Sequence, residues 1–213
     1  MPVYMNEPIS MLQRFGEMWE YKDLLKSANN EPNEYKRMGY VIAFTFMNLA
    51  QSVGRNKKPF NPLLGETFEY INEDIQTVSE QVCHHPPISA TYAVSPDFEV
   101  SCFMEPKSKL TLTKLEVSPR SVTMITLKKT GETFYMDRPK SSVHGILTGN
   151  VYVWHYGDLV CRNSTTKSEA RIVLKNLSMF GGKDYNCEGV IKNANGRFLF
   201  YLGFFVETIS NIL

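Results

Sequence analysis

The sequence contains no long apolar run. Its best candidate, Val41 to Ala50, is interrupted by Thr45 and Asn48 and falls well short of the roughly 18 residues a membrane-spanning helix needs. Cysteine is scarce: Cys83, Cys102, Cys161 and Cys187 are widely spaced and form no C-x-x-C pair. Such usage suits a reducing compartment and speaks against a disulfide framework or a zinc site. Residues Met1 to Glu7 carry neither the basic region nor the apolar core of a secretory signal, so a cytoplasmic location is expected. An excess of one charge is missing too, because 23 Lys and Arg face 22 Asp and Glu for a net charge of +1. That balance argues against a nucleic-acid binder, which needs a pronounced basic face. It still allows a local basic patch that meets an anionic lipid.

What is present reads as one domain over residues 1–213, with 43% hydrophobic and 21% charged residues, ordinary values for a globular chain. Residues 1–52 read as a helical layer. Asn6 is the expected first cap with Pro8 in the first turn, and Met11, Leu12, Phe15, Met18, Trp19, Leu24 and Leu25 recur at helical spacing. Asn29 to Asn33 breaks that helix and supplies a new cap, and the following segment is apolar on nearly every face from Met38 onward.

Residues 53–213 read as short strands separated by turns. Strands are predicted at 67–71, 76–82, 88–94, 99–104, 110–117, 122–127, 133–136, 143–147, 152–155, 159–162, 171–174, 188–192 and 197–202, all rich in β-branched and aromatic residues. Turn chemistry lies between them, including Ser118-Pro119-Arg120 and Asn193-Ala194-Asn195-Gly196. The expected architecture is mainly β with N-terminal helices (α+β): an antiparallel meander closing into a barrel, with the helices at one end or inside.

Two blocks stand out: Lys57-Lys58-Pro59-Phe60-Asn61-Pro62-Leu63-Leu64-Gly65-Glu66 and Glu80-Gln81-Val82-Cys83-His84-His85-Pro86-Pro87. Each sets cations or neutral donors beside proline-fixed backbone, and neither contains an evident nucleophile with an orienting acid. Lys58 is a compact ammonium with three donors, suited to a phosphate. Pro59 and Pro62 restrict the backbone on both sides of Asn61, and Gly65 lets the chain turn. His84 and His85 can donate to phosphate, and a bound dianion raises their proton affinity. Neighbouring residues of a strand point to opposite faces, so both imidazoles meet one phosphate only if the chain bends after Cys83. Glu66 and Glu80 are expected to orient neighbouring groups.

The second block resembles the fingerprint of the oxysterol-binding protein family, normally E-Q-V-S-H-H-P-P, with Cys83 where serine is usual. The first resembles the K-P-x-N-P-x-L-G-E block that precedes it, and Asn6 to Arg14 resembles a further family block. The resemblance runs from Met1 to about Gly203. It implies an incompletely closed β-barrel with a helical layer and a lipid-binding tunnel, acting as a non-enzymatic lipid carrier without cofactor or metal. Lys58, Asn61, His84 and His85 would hold the headgroup of phosphatidylinositol 4-phosphate, and Phe60, Leu64 and Glu66 would contact lipid or support the loop. The implied partners are a membrane lipid (phosphatidylinositol 4-phosphate, with a sterol or another phospholipid such as phosphatidylserine as counter-cargo) and membrane surfaces, with the protein peripherally attached. The alternative is a phosphoinositide-sensing module that docks on membranes without extracting lipid.

Against the family's pattern, an N-terminal lid and a long helical C-terminal region, which adds another lysine and arginine to the phosphate site, are expected to be missing. Those residues are therefore not carried over. Self-association through exposed apolar surface is the expected consequence. His144 and His155 read as structural, hydrogen-bonded residues. Gly181-Gly182-Lys183 lacks the spacing of a nucleotide loop, and Asn163-Ser164-Thr165 is a glycosylation pattern without a signal peptide to support it.

Overall fold

Ser10 ends the first extended segment and starts the first helix. The computed structural model describes residues 3, 6–52, 54–55, 57–112, 114–146, 148–176 and 187–204. In it, Asn6–Ser10 (β1) pairs in parallel with Lys58–Phe60 (β2). Asn6 and Pro8 therefore do not open a helix as the sequence suggested. The reciprocal capping box of Ser10 and Gln13 is the stronger start signal: the Ser10 backbone N–H donates to Gln13 Oε1 at 2.7 Å, and Ser10 Oγ accepts from the Gln13 N–H.

Three helices follow, Met11–Gly16 (α1), Lys22–Asn30 (α2) and Glu34–Ala50 (α3), with a 3-10 turn at Glu17–Tyr21. The expected cap at the break holds: Asn33 Oδ1 accepts from the backbone N–H of Tyr35 and Lys36. Leu12, Phe15, Leu25 and Phe44 are sealed from solvent within the core. Burial contributes about 1.5–3 kcal/mol for each such side chain, far more than the propensity of segments this short.

The strands form one antiparallel sheet. They are Thr67–Ile71 (β3), Gln76–Cys83 (β4), Ile88–Val94 (β5), Phe98–Leu110 (β6), Lys114–Leu127 (β7), Thr133–Met136 (β8), Lys140–His144 (β9), Tyr152–Asn163 (β10), Glu169–Leu174 (β11), Cys187–Lys192 (β12) and Phe198–Phe204 (β13). The order runs β13-β12-β11-β10-β8-β7-β6-β5-β4-β3, with β9 between β10 and the start of β7. Among the described residues β3 and β13 do not pair with each other. The result is an incompletely closed barrel whose inner face receives the helices.

Several boundaries differ from the sequence reading. Residues 118–120 are not a turn: β7 runs through them, and Pro119 stands opposite Pro106 of β6. β5 has already ended at the Met104 rung, and Pro119 lies in the gap between the segments of β7 that pair with β8 and β9. Neither missing N–H therefore leaves a third strand unpaired, which is where a strand tolerates proline. The predicted pair 152–155 and 159–162 is the single strand β10, whose Gly157 takes φ +93°. β9 sits three residues earlier than predicted, and Leu147 lies outside the described residues, as do Gly181-Gly182-Lys183.

The two ends of the barrel differ. At one end, the turns after β5, β7 and β10 meet the α2–α3 junction. Asn29 Nδ2 donates to Asp97 Oδ1 at 2.9 Å, and the Lys129 N–H donates to Asn29 Oδ1 at 2.9 Å. Arg37 forms a two-pronged ion pair with Glu132, which also accepts from Asn163 and Thr130. Burial alone would raise the Glu132 carboxyl, but the bonds from Arg37, Asn163 and Thr130 outweigh it and hold the pKa below the ordinary value. Asn163, the asparagine of the glycosylation pattern, is buried in this network. At the other end lie the turn after β4, the loop before β3 and the long β6–β7 hairpin.

Candidate functional site

The loop before β3 is closed by its own residues. Glu66 N–H donates to the Leu63 carbonyl at 3.1 Å, and Glu66 Oε2 accepts from the Leu63 N–H at 2.8 Å. Gly65, at φ +74°, supplies the left-handed residue this turn requires. The Gly65 N–H then donates to the Gln81 carbonyl, and the Gln81 N–H to the Glu66 carbonyl, at 2.9 and 3.0 Å. Backbone pairing therefore locks the first block alongside the second. Glu66 accepts from backbone within its own loop, whereas Glu80 points outward from β4.

The chain bends after Cys83, so the alternation of β4 no longer sends the two imidazoles to opposite faces. Residues 84–87 form a turn with a cis His85–Pro86 bond. The two imidazoles stand edge to face with centroids 4.6 Å apart. His84 Nδ1 lies 3.0 Å from the Pro62 carbonyl. A carbonyl only accepts, so Nδ1 carries the proton and donates, and Nε2 is left for other partners.

Lys58 Nζ donates to the Pro59 carbonyl at 3.0 Å and to Asn61 Oδ1 at 2.7 Å. Its side chain reaches solvent, yet partial desolvation of the ammonium lowers its pKa from the ordinary lysine value. Among the described residues no hydrogen bond links Lys58 to either imidazole. Pro62, next to Asn61, is the covalent and hydrogen-bonded link between the two groups. Phe60, at the end of β2, and Leu64, in the loop that follows, stand exposed.

The inner wall below this end contains residues the motifs did not point to. Successive inward rungs across β4–β7 read Thr77-Ala93-Val100-Ile125, then Ser79-Thr91-Cys102-Thr123, then Gln81-Ser89-Met104-Ser121. Polarity rises toward the histidines. Ser79 Oγ donates to Thr91 Oγ1 at 2.8 Å, Thr123 Oγ1 to Cys102 Sγ at 3.3 Å, and Ser89 Oγ to Gln81 Oε1. Thr77 Oγ1 and Ser121 Oγ are buried with no protein partner, a costly state unless something else satisfies them. The sequence signal was the alternation of Thr77, Ser79 and Gln81 with Val78 and Val82, which does not say which face turns inward.

His144 and His155 are held by protein hydroxyls. Ser142 Oγ lies 2.8 Å from His144 Nε2, and Ser52 and Ser141 each lie 2.8 Å from a ring nitrogen of His155. Burial pushes His155 down to about 4. Among the described residues no three His, Cys, Asp or Glu side chains converge as a metal site, and no helix is long and apolar enough to cross a membrane.

A partly closed barrel with an inner helical layer, carrying a lysine–asparagine loop bonded to a paired-histidine turn, defines a lipid-domain class of protein. The profile of that class, described as oxysterol-binding protein, matches residues 1–208, and the chain belongs to the oxysterol-binding protein family. It is 36% identical over 206 residues to mouse oxysterol-binding protein-related protein 2, covering 95% of this chain and 43% of that protein. It is 43% identical over 166 residues to human oxysterol-binding protein-related protein 3, covering 76% of this chain and 19% of that one. The chain thus spans less than half the length of these relatives. Among solved structures it matches the Osh1 ORD domain in complex with ergosterol, with a TM-score of 0.88 and 36% identity over 95% of this chain and 49% of that one. It also matches the Osh3 ORD in complex with PI(4)P from Saccharomyces cerevisiae, with a TM-score of 0.79 and 27% identity over 97% and 62%.

Proposed function

We propose that this chain binds a membrane lipid and transfers it between membranes, working peripherally at membrane surfaces on the cytoplasmic side. The cargo assigned here is phosphatidylinositol 4-phosphate, with His84, His85, Lys58 and Asn61 at its phosphate and a sterol or phosphatidylserine as counter-cargo. The observation that carries this reading is the junction itself. The Pro62 carbonyl holds His84, the two imidazoles share one side of a turn, and the lysine loop is bonded to the same strand end. The polar inner rungs suit the ester and glycerol region of a phospholipid better than a wholly apolar ligand. The Osh3 ORD, solved with PI(4)P, and the Osh1 ORD, solved with ergosterol, support the choice of ligand class. Binding, not catalysis, is the natural use of these groups: an ammonium, an amide and two imidazoles are donors to an anion.

Because His84 Nδ1 already donates to a carbonyl, Nε2 can donate to phosphate only in the doubly protonated ring. Extraction of phosphatidylinositol 4-phosphate from liposomes, with native mass spectrometry to weigh any co-purifying lipid, tests the reading. A folded chain that binds phosphoinositide without extracting it would instead be a membrane-docking sensor. One that does neither overturns the assignment.

A further inference from the structure

The β6–β7 hairpin carries apolar side chains where hairpins ordinarily carry polar ones. Its tip is closed by Thr111, whose N–H and Oγ1 both donate to the Lys114 carbonyl, at 2.9 and 2.8 Å. Turn positions between such residues favour Gly, Asn or Asp, yet Leu112 is there with 93% of its surface exposed, and Leu110 beside it is 73% exposed. Singly exposed leucines are ordinary. These are not single, because Leu63 and Leu64 of the loop before β3 are 72% and 68% exposed.

Register places both apolar knobs at the same end of the barrel. The rung Gln81-Ser89-Met104-Ser121 is the last that β4 to β7 all share before the His84–Pro87 turn, with only the Cys83–Ile88 pair beyond it. β6 continues six residues past Met104 to Leu110, which at strand rise carries the tip about 20 Å beyond that rung. The loop of Leu63 and Leu64 is bonded to Gln81 on the same rung. Lysines border both knobs. Residues 105–120 contain four basic residues (Lys107, Lys109, Lys114 and Arg120) against Glu105 and Glu116, and Lys57 and Lys58 precede Leu63 and Leu64. Lys107, Lys109 and Arg120 are exposed.

We propose that Leu110 and Leu112, with Leu63 and Leu64, form a wedge that inserts into the interface of an anionic bilayer while the bordering lysines meet its headgroups. An apolar tip ringed by cations matches a surface whose charge is negative outside and whose interior is apolar, and each lysine near it adds attraction. A protein partner of ordinary interface character would instead be met by a core depleted of lysine. Docked this way, the chain turns the His84–His85 end toward the membrane. The inference rests on the reading that the barrel takes a membrane lipid, but its test does not depend on the phosphate site.

The test is sedimentation of the whole chain with phosphatidylcholine vesicles, with or without phosphatidylserine, and free of phosphoinositide. The wild-type chain binds the anionic vesicles, less so as salt rises, and leaves the neutral ones. Leu110→Asp with Leu112→Asp weakens that binding by about tenfold or more while a water-soluble short-chain phosphoinositide binds as before. His84→Ala with His85→Ala does the reverse, so the two readings fail separately. In Leu112→Trp, emission shifts to the blue on anionic vesicles and is quenched by brominated lipid, against the shielded background of Trp19 and Trp154. Wild-type binding of neither vesicle, equal binding of both, undiminished binding by the double aspartate variant, or unchanged Leu112→Trp emission each overturns the proposal.

Discussion

The two ends of the barrel are built on opposite principles. At the sealed end, side chains from the helices reach the turns of the sheet and satisfy one another: Asn29 with Asp97 and Lys129, Arg37 with Glu132, and Glu132 with Asn163. At the histidine end the contacts are mostly backbone to backbone or side chain to carbonyl. Lysines, imidazoles and leucines are left with unused surface. A buried charge must be paired to be tolerated, so the first end commits its polar groups to the fold. Polar groups that keep donors free are positioned at some expense of stability and are available to a ligand. The first end ties its polar groups into the fold, and the second leaves cationic and apolar side chains exposed.

The division can be broken first at Glu132. Glu132→Ala leaves the buried Arg37 guanidinium without its partner, and a loss of about 3–5 kcal/mol is expected in urea unfolding. A loss under about 1 kcal/mol, the range of exposed ion pairs, would remove the sealed end from its role. Next comes the histidine end. His84→Ala with His85→Ala should cost about 2–5 kcal/mol in phosphatidylinositol 4-phosphate binding, from two charge-assisted bonds, with far less change in unfolding. If unfolding suffers more than binding, the pair is structural.

Acidification separates two buried groups, His155 and Glu132, by pH window. His155, pushed from 6.5 to about 4, stays neutral in the fold and gains a proton more readily once unfolded. Stability is therefore full above 6.5 and falls by about 3 kcal/mol as pH drops through the folded value. His155→Gln should flatten that window. Glu132 has a depressed carboxyl, so its contribution persists above the ordinary carboxylate value and is lost only as pH falls through the lower folded one. A stability profile measured by denaturant at each pH should show both declines, and a single decline confined to the carboxylate range would contradict the His155 part.

The smallest effect expected is at Lys58. Lys58→Ala should weaken phosphoinositide binding by about 1.5–3 kcal/mol, the worth of a bond to a charged group, and leave any sterol binding nearly unchanged. Equal losses for both ligands would make Lys58 a brace for its loop.

Much of this was legible in one dimension because it is local. Asn33 caps a helix through its own neighbours' N–H groups, Gly65 turns the chain by its own φ, and Asn193 to Gly196 closes a hairpin of adjacent strands. The two motifs were readable for the same reason, since prolines and donors at fixed spacing are properties of a short segment. What depended on distant partners was not. Pro119 reads as a turn until β6, and the gap between β8 and β9, show that its missing N–H faces no strand. Asn6 reads as a cap until β2 arrives to pair with its segment.

The inner wall makes the distinction sharpest. The alternation along β4 establishes two faces, and by itself it favours Val78 and Val82 for the core. Only the assembled sheet, with its neighbours in register and its helices on one side, turns Thr77, Ser79 and Gln81 inward and leaves the valines outside. A strand's period of two fixes which residues share a face, but which face is inside is a property of the whole barrel.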